Sequence, residues 1–206
     1  MNEYKEKSRA TFNAQATTYD TTMQGAHARR LYPQVVAALA DVPEAGELLD
    51  VGCGTGALAR LVLEQRPLSR VTGLDLAPNM VAQARINLQS FGERAQVVEG
   101  DSDRLPFRDE SFDAAYCNDS FHHYPDPEKA SFEMWRVLRP GGLLVVGDAA
   151  LPAPARALMN AFIPYSSEGD VRMYSRREFE RILGRWFSTV AWENAGNHAC
   201  IVRARK

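Results

Sequence analysis

The sequence predicts an α/β fold, with a mostly parallel seven-stranded sheet, helices on both faces and an antiparallel hairpin at the C-terminal end. Short apolar runs alternate with helical patterns over residues 47–147, which is typical of a parallel sheet covered on both faces. A glycine-rich turn follows the first apolar run at 52–56, where the backbone must turn sharply. Two strand-like segments flank Gly196 and Asn197, a pattern typical of a hairpin.

The first 42 residues are predicted to form a helical cap. Residues 1 to about 22 are polar, and Phe12, Ala16 and Tyr19 fall at positions i, i+4 and i+7 of one helical face. That face either packs on the body of the protein or belongs to a lid that presents Tyr19 to a ligand. Residues 24–41 carry one apolar stripe and predict an amphipathic helix with no evident chemistry.

Residues 43–149 are predicted to form the core of the sheet. The predicted strands lie at about 47–52, 71–76, 95–99, 112–117 and 143–147. Pro78 and Pro127 suit the first position of a helix, and Asp126 suits the N-cap of the second one. That second helix is expected to end near residues 138–139, where 140–142 (Pro-Gly-Gly) stop it.

The C-terminal part of the chain completes a single domain that spans residues 1–206. Residues 150–174 are rich in Ala and Pro and are predicted to be a substrate-side insertion. Ser175 and Glu178 form a capping box that opens a helix to about Trp186, and segments 190–193 and 199–202 form the hairpin.

Composition limits the partners. The chain has 206 residues, 24% charged, with a formal net charge of −2, so there is no overall electrostatic case for binding nucleic acid or anionic membranes. Cys53, Cys117 and Cys200 form no CxxC motif and are expected to be reduced. No apolar stretch of signal-peptide or membrane-spanning length is present. We therefore expect a cytoplasmic monomer or homodimer without a membrane partner.

The glycine-rich turn alone does not identify a cofactor, because residues 52–57 fit the Gly-x-Gly-x-x-Ala pattern of NAD enzymes. Asp50 lies two residues before the first glycine, and an acid there suits a cation better than a pyrophosphate. Asp75 and Asp101 end the next two predicted strands. Three carboxylates on successive strand ends favour a ligand with an ammonium and a sulfonium.

Residues 48–147 resemble the class I S-adenosylmethionine-dependent methyltransferases, in particular the small-molecule subgroup of ubiquinone/menaquinone biosynthesis methyltransferases. The segments that carry the resemblance are 48–56, 73–80, 100–101, 105–107, 111–113 and 136–142. Residues 12–20 also resemble the N-terminal element of that subgroup. The resemblance implies a Rossmann-like fold and S-adenosylmethionine as cofactor, with S-adenosylhomocysteine as product.

The resemblance also implies a set of cofactor contacts. They are Tyr19, Asp50, Gly52, Cys53, Gly54, Gly56, Asp75, Leu76, Met80, Asp101, Ser102 and Asn118. Asp75 would accept hydrogen bonds from both ribose hydroxyls, and Asp101 would accept from the adenine amino group. Asp50 would help to hold the amino group of the cofactor through the loop, while Leu76 and Met80 would pack on the adenine faces.

Methyl transfer from a sulfonium leaves a neutral thioether, so the protein mainly aligns the reactants and no metal is expected. A base is needed only if the acceptor carries a proton through the transition state. His122 and His123 follow the fourth strand and are the candidates; in an extended segment only one of them would face the pocket. Tyr124, Tyr165 and Tyr174 are candidates for the substrate pocket or for ordinary packing.

The acceptor is expected to be small and partly apolar. Residues 118–121 keep the outer residues of an Asn-Pro-Pro-Tyr/Phe motif but lack both prolines, and the chain shows no RNA-binding module. Two other classes stay open: a nicotinamide-dependent oxidoreductase, which would share the glycine-rich turn, and a non-catalytic methyltransferase-like subunit. The complete set of glycines and acids argues against the non-catalytic subunit.

Overall fold

The computed structural model describes residues 2–23, 25–166 and 168–206. Its seven strands form one sheet in the order β3-β2-β1-β4-β5-β7-β6. The strands are β1 (Glu47–Val51), β2 (Arg70–Asp75), β3 (Ala95–Glu99), β4 (Phe112–Asn118), β5 (Leu138–Ala149), β6 (Thr189–Gly196) and β7 (Ala199–Arg205). Strands β1 to β5 are parallel, and β7 pairs antiparallel with both β5 and β6. The predicted fold class, including the C-terminal hairpin, is confirmed.

Helices cover both faces of the sheet. They are α1 (Glu3–Gln15), α2 (Ala26–Ala38), α3 (Ala57–Gln65), α4 (Pro78–Leu88), α5 (Pro127–Val137), α6 (Ala153–Phe162) and α7 (Arg176–Leu183). Apolar residues of α2, α3 and α4 share one buried cluster with β1 and β4, whereas those of α5 and α7 share the other. The predicted caps at Asp126 and Ser175 are present, the latter as a capping box with Glu178.

Strand β5 is longer than the sequence predicts. The helix before it does end, at Val137, but Pro140, Gly141 and Gly142 already belong to the strand. Leu138 pairs with Phe112 of β4, and the register then shifts before Leu143 pairs with Ala114. The Pro-Gly-Gly segment is therefore an irregularity within a strand, because Gly141 adopts a φ of +76° that favours glycine.

The helix of the N-terminal cap is shorter than the sequence predicts, but its apolar residues still pack on the body of the protein. Helix α1 ends at Gln15, and turns follow where the periodicity predicts more helix. Phe12, Ala16 and Tyr19 nevertheless pack together against Ala77 and Met80 at the start of α4. The cap is thus closed over the end of the sheet, because the turn folds the apolar residues back onto the same surface.

Residues 150–174 contain a helix that the sequence analysis did not predict. None of the residues of α6 is buried, and Leu158 and Phe162 expose more than half of their surface. Within the described residues, no helix has the length and apolar character needed to cross a membrane.

Candidate active site

A cavity lies at the carboxyl ends of β1, β2 and β4, where open α/β sheets bind their ligands. Its floor is the turn between β1 and α3, and its cover comes from α1, the turns after it and α2. The lining residues include Lys5, Ser8, Phe12, Tyr19, Tyr32, Asp50, Gly52, Cys53, Gly54, Asp75, Leu76, Met80, Asp101, Ser102, Asn118, Asp119, Ser120, His123 and Tyr124. Eleven of the twelve predicted cofactor residues therefore line one space, and Gly56 does not.

The glycine-rich turn is fixed by backbone geometry. Gly52 has a φ of +76°, and its amide donates to the Leu74 carbonyl of β2 at 2.8 Å. A Cβ at Gly52 would lie 2.9 Å from both side-chain atoms of Ser120. Gly56 faces α4 and not the cavity, since a Cβ at this position would meet Leu88 and Ala84 of α4. Gly52 thus keeps the floor of the cavity open, whereas Gly56 serves the packing of α3 on α4.

Asp75 is held rigidly at the end of β2. One carboxylate oxygen accepts from the Gly54 amide and the other from the Ala77 amide, each at 2.8 Å. Burial raises the pKa of Asp75, and these amides oppose that shift. Each oxygen keeps a second lone pair, so the carboxylate can still accept a pair of hydroxyls.

Asp50 is the buried acid beside the turn. It is 2% exposed, and its Oδ2 atom makes no hydrogen bond of standard geometry among the described residues, although the neighbouring Tyr116 hydroxyl acts to lower its pKa. Burial raises the pKa of Asp50 well above its usual value, and the neighbouring Asp75 carboxylate raises it further. A buried acid without a full set of partners is costly unless a ligand supplies a donor or a positive charge.

The wall of the cavity is apolar on the side of α4. Met80 is fully buried and Leu76 lines the cavity beside it, while Phe12 and Tyr19 approach from the cap. Their aromatic rings meet edge to face, with centroids 6.0 Å apart. This wall suits a flat aromatic group such as a purine.

Asp101 has a protein partner that the sequence analysis missed. Lys5 of α1 donates to both carboxylate oxygens of Asp101, at 2.7 and 2.8 Å, and also to Asp103. The Lys5 side chain is 9% exposed although it lies in a polar helix. No sequence signal distinguished Lys5 from its neighbour Lys7, because the contact spans 96 residues.

The predicted tyrosines are not brought together. Tyr124 lines the cavity, but its hydroxyl donates to the Val51 carbonyl at 3.1 Å and therefore supports the turn. Tyr174 is buried between Phe121 and Phe179, away from the cavity lining, and Tyr165 is 85% exposed. Asn118 ends β4 at the cavity, where its side-chain amide donates to the Ala28 carbonyl. None of the described residues between 150 and 174 is among the lining residues.

The two histidines lie together in a 3-10 turn and not in an extended segment, yet only one of them faces the cavity, as expected. Phe121–His123 form a 3-10 turn, and the two imidazole centroids are 4.2 Å apart. Burial would lower the pKa of His122, but Asp148 raises it to about 10. Burial lowers the pKa of His123 to about 4, and the neighbouring His122 adds to this shift. His123 lines the cavity, and His122 lies behind it.

Further acids surround these histidines. Asp148 accepts from His122 Nδ1 at 2.5 Å, and Asp119 contacts His27 Nδ1 at 2.7 Å. Burial raises the pKa of Asp119, but the hydrogen bond to His27 makes the net shift downward. Asp148 could have been found from the sequence, since it lies near the end of a strand as Asp50 and Asp75 do.

Comparison with known proteins agrees with this geometry. The methyltransferase domain family matches residues 49–146. The chain is 41% identical over 122 residues to the demethylmenaquinone methyltransferase of Thermus thermophilus, covering 59% of this chain and 54% of that one. It is 32% identical over 188 residues to the malonyl-[acyl-carrier protein] O-methyltransferase of Geobacter sulfurreducens, covering 88% and 69%. The chain spans about half the length of the first of these relatives.

Solved structures share the fold. A chain from the complex of the Haloferax volcanii Trm112 methyltransferase activator superposes with a TM-score of 0.77 at 20% identity, covering 94% of this chain and 96% of that one. A SAM-dependent methyltransferase from Aquifex aeolicus superposes with a TM-score of 0.68 at 23% identity, covering 85% and 92%. The chain belongs to the S-adenosylmethionine-dependent methyltransferase family.

Proposed function

We propose that this chain binds S-adenosylmethionine in the cavity and transfers its methyl group to a small, partly apolar acceptor. The observation that carries the proposal is the pair of buried acids beside the glycine-rich turn. Asp50 has a buried oxygen that makes no hydrogen bond of standard geometry among the described residues, and Asp75 has spare acceptor capacity. Such a floor suits a ligand with an ammonium, a sulfonium and two hydroxyls, and it would repel a pyrophosphate.

Methyl transfer from a sulfonium needs little acid or base catalysis. The methyl carbon moves in line from the sulfonium to the acceptor, and the sulfur keeps the electron pair as a neutral thioether. The rigid turn and the Asp75 anchor would fix the direction of the methyl, which is how alignment lowers a barrier of this kind. His123 lines the cavity beside the turn, so we place the acceptor near His123, with His122 behind it.

The small acceptor is supported by the limited enclosure and by the named relatives. The cover consists of α1, the turns after it and α2, with no further module within the described residues. The relatives are named for a demethylmenaquinone and for a malonyl group on a carrier protein. A hydroquinone and a short acyl thioester with a free carboxyl are therefore the first acceptors to assay.

Cofactor binding is the first test. Isothermal titration should show S-adenosylhomocysteine binding and no comparable binding of NADH. Asp75→Ala should weaken that binding by at least about tenfold, because an anchor of roughly 1.4 kcal/mol or more is lost. Glu99→Ala is the matched control, because Glu99 is exposed, pairs with Asp75 in the sheet and does not line the cavity.

The outcomes separate the three classes. NADH binding in preference to S-adenosylhomocysteine would favour an oxidoreductase. S-adenosylhomocysteine binding without turnover of any acceptor would favour a non-catalytic subunit. Equal binding by the wild type and Asp75→Ala would show that Asp75 is not the ribose anchor.

A further inference from the structure

We propose that His122 Nε2, His123 Nδ1 and Asp170 Oδ1 form a binding site for a first-row divalent cation beside the acceptor end of the cavity. The three ligand atoms lie within 4.8 Å of one another. The cation-binding proposal stands without the proposed function, and only the role of the cation in methyl transfer depends on it.

The 3-10 turn after β4 creates the pair of imidazoles. The His123 amide donates to the Ser120 carbonyl at 3.0 Å, which closes the turn and places both rings on the same side. Their planes are tilted by 39°, and His122 Nε2 and His123 Nδ1 both lie near Asp170 Oδ1. The side chains of His122 and His123 are 12% and 11% exposed, so neither is an ordinary surface histidine.

Asp148 fixes which nitrogen of His122 is available. Its carboxylate accepts from His122 Nδ1 at 2.5 Å, from the His122 amide at 3.0 Å and from the Ala149 amide at 2.6 Å. His122 Nε2 is left to face Asp170. A histidine that binds a metal through one nitrogen typically donates from the other to a carboxylate, which holds the ring in place.

The separations around Asp170 fit ligands of one cation better than hydrogen bonds. Asp170 Oδ1 lies 3.6 Å from His122 Nε2 and 3.4 Å from His123 Nδ1. An N–H···O hydrogen bond would be about 2.7 to 3.2 Å long. Two ligands about 2.1 Å from one cation lie roughly 3.0 to 3.4 Å apart in octahedral or tetrahedral geometry.

Two further observations leave these atoms free for a cation. The buried His123 Nδ1 makes no hydrogen bond of standard geometry to the described residues, although the Gly169 backbone interacts with the His123 ring. Asp170 Oδ2 accepts from the Ser166 hydroxyl at 2.9 Å, so Oδ1 points towards the histidines. The Val171 amide donates to the His122 carbonyl at 2.9 Å, which ties the Asp170 segment to the turn.

The local charge also favours a cation. Asp119, Asp148 and Asp170 lie around the two imidazoles, and Asp119 and Asp148 share a second group of close ligand atoms with His122. A cation that binds His122 Nε2 takes the place of the proton on that atom, and the three carboxylates then offset the charge of the cation in this partly buried region.

The ligand set indicates the class of metal. Two imidazoles and one carboxylate with open positions are typical of Fe²⁺, Mn²⁺ and Zn²⁺ sites, whereas Mg²⁺ prefers oxygen ligands. The open positions would take water or an oxygen of the acceptor. Given the proposed function, such a cation would orient an acceptor hydroxyl or carboxyl towards the methyl group and favour its deprotonated form.

The test uses the full chain after treatment with a chelator and removal of the chelator. Zn²⁺ and Mn²⁺ are titrated calorimetrically, and bound metal is counted by elemental analysis. We expect one cation per chain, and Asp170→Asn and His123→Ala should each weaken its binding by at least about tenfold. The visible spectrum with Co²⁺ should show nitrogen ligation that the two variants lose.

His198→Asn is the control, because His198 is an exposed histidine in the β6–β7 turn and Asn tolerates its φ of +63°. Absence of stoichiometric binding, or binding that only His198→Asn reduces, would overturn the proposal. Asp170→Asn keeps the shape of the side chain, and S-adenosylhomocysteine titration of the same variant shows whether the cavity is intact. If the wild type does not bind S-adenosylhomocysteine, the proposed function is contradicted. The cation-binding result would still stand.

Discussion

The two ends of the cavity are assembled in different ways. The cofactor end consists of Asp50, Gly52, Gly54 and Asp75, which lie within one strand-turn-helix-strand unit, where backbone amides of the turn donate to the Leu74 carbonyl and to the Asp75 carboxylate. The proposed acceptor end consists of His123, which lines the cavity, with His122, Asp148 and Asp170 behind it; these residues come from three separate segments and meet mainly through side chains. Backbone geometry repeats from protein to protein, whereas side-chain contacts between distant segments are particular to each chain.

The largest effect should come from the floor of the cofactor end. Gly52→Ala should weaken S-adenosylhomocysteine binding by about 100-fold, because the new Cβ would lie 2.9 Å from Ser120 and displace the turn. Calorimetric titration measures this. Gly141→Ala is the control, since Gly141 has the same φ of +76° but open space where the new Cβ would lie. Both variants carry the backbone strain of an alanine at positive φ, which is about 1 to 2 kcal/mol. Only Gly52→Ala should lose S-adenosylhomocysteine binding. Equal affinities of the two variants for S-adenosylhomocysteine would contradict the role of the turn.

An intermediate effect should come from the cap that covers both ends. Lys5→Met removes the cation between Asp101 and Asp103 and leaves two part-buried carboxylates side by side. Helix α1 should loosen, and S-adenosylhomocysteine binding should weaken by about tenfold because Phe12 and Tyr19 lose their position.

Limited proteolysis checks the same variant, since a loosened α1 should be cut faster. Lys7→Met is the control, because Lys7 pairs only with the exposed Glu3 of its own helix among the described residues. Tighter cofactor binding in Lys5→Met would show that Lys5 competes with the adenine for Asp101 and does not simply anchor the cap.

The same contrast explains what the sequence could predict. Alternating patterns identified every strand, and strand-end position identified Asp50 and Asp75, because both follow from local periodicity. The end of α1 and the start of β5 were wrong, since a turn after Gln15 and pairing of Leu138 with Phe112 overrode the local pattern. Lys5 and Asp170 were missed because their roles arise from contacts between residues far apart in the chain. Asp148 was missed although its position near the end of β5 follows the same pattern as Asp50 and Asp75.

The smallest effect concerns the pH dependence of the cofactor end. Burial and Asp75 raise the pKa of Asp50, so this carboxyl binds a proton at a higher pH than an exposed aspartate. The ammonium of the cofactor favours the ionised form and remains charged as the pH falls. Affinity should therefore decrease towards low pH, by roughly threefold between pH 7.5 and pH 6, since a single titrating group changes affinity by at most about tenfold per pH unit.

Calorimetric titration of the wild type and Asp50→Asn across this pH range isolates the contribution of Asp50. The variant should bind more weakly at pH 7.5 and show a flatter profile, because the amide has the same shape but no proton to release. Asp75 and His27, whose pKa values are also raised, remain in the variant, so any slope that persists belongs to these groups. An equal slope in both proteins would show that Asp50 is not the pH-sensitive group.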